Sequence, residues 1–98
     1  MTKLREAEIA KAVENYLFDA GGTATIGQIR RNLPFYITLT EADRVPSITR
    51  PREEMWEQQV RNIVCHRDTI GNAVNCGKLQ YTPRHLSLSD GPQGELGL

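Results

Sequence analysis

Gln58, Arg61 and Asn62 have the chemistry to read a nucleic acid, and they sit close together in Trp56-Glu57-Gln58-Gln59-Val60-Arg61-Asn62-Ile63-Val64-Cys65-His66-Arg67. A guanidinium donates two parallel bonds to guanine O6 and N7, and a carboxamide bonds adenine N6 and N7. On a helix advancing about 100° per residue, Trp56, Val60, Ile63 and Val64 form an apolar stripe, and Gln58, Arg61, Asn62 and Cys65 fall opposite. A plain solvated face is the bland account of the same three side chains, since every amphipathic helix has one. Lys78, Tyr81 and Arg84 can hold phosphates or enter a minor groove, or simply keep a hairpin soluble and unpaired. Arg30 and Arg31 can clamp a nucleic-acid backbone, and Arg44, Arg50 and Arg52 flank the loop ahead of the helix.

Other chemistries fit less well. Cys65, His66, Cys76 and His85 carry zinc-binding atoms, but their spacing matches no zinc motif, and adjacent helical residues point about 100° apart. They read as free, buried or half-buried thiols and ordinary histidines, and no cofactor is expected. Trp56 could stack on an extruded base, but its place on the apolar stripe assigns it to the core. Ser47, Ser87 and Ser89 lie in no nucleophile elbow, and no glycine-rich phosphate loop occurs. No catalytic residue and no enzymatic activity are expected.

The elements that must position these residues follow from periodicity. Thr2 to Ala20 reads as a helix with Ile9, Ala12, Val13, Tyr16, Leu17 and Ala20 on one stripe, ended by Gly21-Gly22. Thr23 to Ile26 reads as a brief strand and Gly27 to Leu33 as a short helix limited by Pro34. Thr40 N-caps a helical turn through Asp43, and Val45 to Arg50 reads as a loop. Pro51 to Arg67 reads as a long helix, with proline and acids in its first turn and bases in its last. Lys78 to Thr82 and His85 to Leu88 alternate as strands around a tight turn at Pro83-Arg84. The tail Asp90 to Leu98 is rich in glycine and proline, which predicts a domain over 1–89 and a frayed end over 90–98.

Ninety-eight residues suffice for one modest core. The formal net charge is zero, which argues against binding driven by bulk charge alone. The charge is uneven, however. Gly21 to Arg52 holds five arginines against Glu41 and Asp43, a net +3, and Glu53, Glu54 and Glu57 then give −3. Gln58 to His85 returns to +3 through Arg61, Arg67, Lys78 and Arg84 against Asp68. No apolar run approaches the roughly 20 residues of a membrane span, and the charged start has no signal-peptide character. A cytoplasmic protein with reduced thiols is the expectation.

Helix, short strand, helix, helix, hairpin is the winged helix-turn-helix order, an α+β class. The Trp56–Arg67 stretch, followed by Gly77-Lys78-Leu79-Gln80-Tyr81, resembles the winged-helix modules of Mrr-type and HNH-type restriction endonucleases and related prokaryotic DNA-binding proteins. The likeness covers roughly Ala20 to Leu88, and no nuclease motif accompanies it. It implies binding of double-stranded DNA, by a regulator of transcription or by the recognition module of a restriction or defence system, with reading of modified bases as a sub-case. The alternative is a winged helix that binds a protein partner or a second copy of itself. No small-molecule substrate is expected.

Overall fold

The computed structural model describes residues 4–88. The first apolar stripe folds as α1 (Glu6–Asp19), which buries Ile9, Ala12, Val13 and Leu17 against Val60 and Ile63 of α4 (Met55–Cys65). Trp56 is 5% exposed, which settles core packing over a stacking platform. α1 begins at Glu6 because the preceding amides find side-chain partners. Leu4 N donates to the buried Asp43 carboxylate at 2.6 Å and Arg5 N to Glu8 Oε1 at 2.8 Å. Gly21 and Gly22, at φ +92° and +101°, close the helix in a conformation that side chains disfavour.

β1 (Thr23–Thr25) leads into α2 (Ile26–Asn32). The expected boundary lay one residue later. Thr25 moves it, because its hydroxyl accepts from Gln28 N at 3.0 Å while Gln28 Oε1 accepts from Thr25 N at 2.9 Å. Thr25→Ala is expected to cost about 1 kcal/mol and lower Tm by about 4–8 °C; a thermal melt that does not move would show that the cap contributes nothing. Pro34 converts the chain to a 3-10 turn at Leu33–Phe35. Thr40 caps α3 (Glu41–Arg44), as expected, its hydroxyl accepting from Asp43 N at 3.2 Å.

The long helix is shorter than expected. Pro51 to Glu53 is not helical, because Glu53 N bonds Arg50 O at 2.8 Å and turns the chain. Met55 N to Val45 O and Ser47 N to Glu53 O, at 2.8 and 2.7 Å, then close residues 45–55 into a tied loop. At the other end the helix stops at Cys65, and His66 and Arg67 belong to the following turn.

β2 (Leu79–Thr82) and β3 (His85–Leu88) form the expected hairpin. β3 is central, in the order β1-β3-β2, antiparallel throughout, with Thr25 and Thr82 both opposite His85. Ala24, Leu79 and Leu86 turn into the core, so the sheet packs on the helices along one face. The result is a small α+β domain with four α-helices and a three-stranded sheet among the described residues. None of these helices is long and apolar enough to cross a membrane. The tail at 90–98, expected to fray, lies outside the described residues.

Candidate nucleic-acid interface

The hairpin turn decides where one arginine points. Thr82 and His85 pair, leaving Pro83 and Arg84 as a two-residue loop. Proline fixes the first loop residue at φ near −65°, and Arg84 adopts φ +67°. Glycine or asparagine ordinarily fills such a position, and an arginine there costs on the order of 1 kcal/mol. The Arg84 carbonyl accepts from Ile26 N at 2.9 Å, tying the hairpin tip to the start of α2.

Between α2, α4 and this tip lies a groove of about 530 Å³. Arg30, Arg50, Arg61, Arg84 and His85 line it, with Ile26, Val64 and Tyr81 as apolar wall, and no Asp or Glu is in the lining. Arg67 places its guanidinium carbon 5.4 Å from the centroid of the Tyr81 ring, a cation–π contact that holds the ring in place. Protein-family models, curated proteins and solved structures give no match to this chain.

Two of the four arginines are already engaged. Arg61 grips Glu53 with two parallel bonds, Nε to Oε1 at 3.3 Å and Nη2 to Oε2. Arg30 donates to Glu57 Oε2 from Nε at 3.2 Å and Nη2 at 2.9 Å, and its Nη2 lies 3.6 Å from Glu53 Oε2. The four charges alternate as Glu57, Arg30, Glu53, Arg61 and cancel. The Arg61 hydrogen bond holds the Glu53 carboxyl below its ordinary value of 4.5, although burial opposes it, and raises the Arg61 guanidinium in turn. A depressed carboxyl stabilises the fold fully above pH 4.5 and loses that contribution as pH falls through the lowered value. Arg50 and Arg84 are exposed, and among the described residues no carboxylate lies within 4 Å of either.

The remaining predicted residues divide. Arg61 and Asn62 were expected to be open to solvent, and both are half-buried. The tied loop crosses the outer face of α4 and takes up its polar groups. Gln58 Oε1 accepts from Ser47 Oγ at 3.2 Å and Thr49 Oγ1 at 3.1 Å, and Gln58 Nε2 donates to Asn62 Oδ1 at 2.9 Å. Arg31 and Arg52 are exposed outside the groove lining. Lys78 is exposed at the opposite end of β2 from Arg84 and lines a separate cavity with Glu6 and Glu14. Arg44 pairs with Glu54 at 3.7 Å. Cys65 and Cys76 are exposed free thiols, not the buried ones expected, because each follows the packed part of its segment.

Sequence reasoning placed Arg50 among the flanking arginines but missed His85 as part of the groove lining and Glu53 as the carboxylate that holds Arg61. Glu53 read as an acid complementing a helix N-terminus. Its real role follows from the turn that brings residue 53 back over residue 61, which no local pattern announces.

Proposed function

We propose that this chain is a winged-helix domain that binds double-stranded DNA along the groove between α2, α4 and the hairpin. The observation that carries the reading is one groove lined by four arginines and a histidine, of which Arg50 and Arg84 have no carboxylate within 4 Å among the described residues, in a chain of zero net charge. Cations gathered in one place attract a phosphate backbone even where the whole molecule does not. The strand order β1-β3-β2, with β1 between α1 and α2 and the β2–β3 hairpin after α4, supports the winged-helix architecture, with β2–β3 as the wing. Arg50 and Arg84, with no carboxylate within 4 Å among the described residues, make the first phosphate contacts. Arg61 and Arg30 stand behind them. Gln58 and Asn62 are engaged by the loop and by one another, so base reading from the outer face of α4 falls to Arg61. The restriction, defence or regulatory setting rests on the family resemblance alone.

The test is anisotropy of a labelled random-sequence duplex across a salt series. Two to four phosphate contacts predict a plot of log K against log salt with slope about −2 to −4 between about 50 and 200 mM. No binding at about 50 mM salt, where phosphate contacts are strongest, would remove this reading. A protein-binding role is the second reading, supported by Phe18 and Phe35, which are 79% and 83% exposed. It predicts no duplex binding and a partner lost on Phe35→Ser.

A further inference from the structure

Glu53 is the least exposed member of the ion-pair quartet, with 12% of its side chain accessible. It sits on a loop that is tied at both ends, and Arg50 is on the same loop. Its carboxylate therefore stays beside Arg61 without the freedom of a mobile side chain on a mobile strand. The fork it occupies is chemically specific. A guanidinium that gives two parallel N–H bonds to a carboxylate can give the same two bonds to the free oxygens of a phosphodiester. Arg30 also reaches the same Glu53 oxygen, at 3.6 Å.

We propose that Glu53 is an internal competitor for backbone phosphate, holding Arg61 out of use until a correctly seated duplex displaces it. The inference rests on the duplex-binding reading and adds to it a residue that sets specificity. Contacts to Arg50 and Arg84 alone are weak and independent of sequence. Engagement of Arg61 requires the phosphate, or a base edge, to arrive where Glu53 now lies. A poorly seated duplex leaves the carboxylate in place, and its negative charge then repels the nearest phosphate. Glu53 thus lowers affinity for every duplex but lowers it most for wrong ones.

Glu53→Gln keeps the shape and one acceptor oxygen while removing the charge. It is expected to raise affinity for a random-sequence duplex about tenfold near 0.1 M salt. In parallel, wild-type protein labelled with nitrogen-15 is titrated with the same duplex, and the Arg61 Nε–Hε resonance should move on saturation. That arm stands even if Glu53→Gln fails to fold. Wild-type binding with equal or weaker binding by Glu53→Gln overturns the inference, leaves the duplex reading intact and makes Glu53 a positioning residue for Arg61. Saturable wild-type binding with an unmoved Arg61 resonance overturns it as well. Absence of binding by both proteins overturns the duplex reading itself, and the inference with it.

Discussion

Asn72→Ala is expected to lower the melting temperature by about 12–24 °C, from a loss of about 3 kcal/mol. Asn72 is 6% exposed in the segment joining α4 to the hairpin, and its amide is fully used. Nδ2 donates to Glu6 Oε2 and to Ile63 O, each at 3.0 Å. Oδ1 accepts from Val74 N at 2.7 Å and Asn75 N at 3.2 Å. One side chain therefore joins the first turn of α1, a carbonyl near the end of α4 and the approach to β2. Alanine would leave the buried Ile63 carbonyl and the Val74 amide without partners, and an unmet buried group costs about 1–3 kcal/mol. Asn72→Asp is expected to be no better, since it would set a second carboxylate oxygen against Glu6. Asn75→Ala, at an exposed neighbour, should stay within about 0.5 kcal/mol. If Asn72→Ala melts with the wild type, the segment is held by apolar contacts such as Ala73 and not by this amide.

Asn72 also shows where sequence reading ends. The stripes of α1 and α4 were legible because a helix that buries one face must repeat its apolar residues near every 3.6 positions. The hairpin was legible from alternation and a proline turn. A buried asparagine in a loop leaves no period, and its neighbours Gly71 and Ala73 say nothing of four converging hydrogen bonds. Pro51 misplaced the start of α4 because proline has the same φ in a first helical turn and in a tight turn. The Met55–Val45 bond separates the two cases, and it is a tertiary fact. The helical wheel gave the direction of the core correctly, yet it cannot know that residues 45–54 fold back over the opposite face. Glu57 and Arg61 stand at i, i+4 and suggest a pair. The structure instead pairs Arg61 with Glu53 and gives Glu57 to Arg30, because the returning loop offers a closer carboxylate.

The double variant Arg50→Ala/Arg84→Gly is expected to bind a random-sequence duplex about 60- to 100-fold more weakly near 0.1 M salt, each lost phosphate contact accounting for about eightfold to tenfold. Its salt slope should flatten by about two units. The choice of glycine at position 84 separates binding from folding. Arg84 holds φ +67°, where glycine carries no Cβ penalty, so Arg84→Gly alone should raise stability by about 1 kcal/mol. Loss of affinity accompanied by a higher Tm cannot be attributed to unfolding. Lys78→Ala serves as the surface-charge control. It removes one positive charge, as each arginine change does, but Lys78 lines the separate cavity that Glu6 and Glu14 also line and is not part of the groove. Its affinity should remain within about twofold, well below the eightfold to tenfold of a phosphate contact. Equal weakening by Lys78→Ala and by Arg84→Gly would mean that the duplex responds to net charge and not to the groove. A double variant that binds like the wild type would take the groove out of DNA binding altogether. A lower Tm for Arg84→Gly would show instead that the arginine side chain stabilises the turn by more than its backbone strain costs.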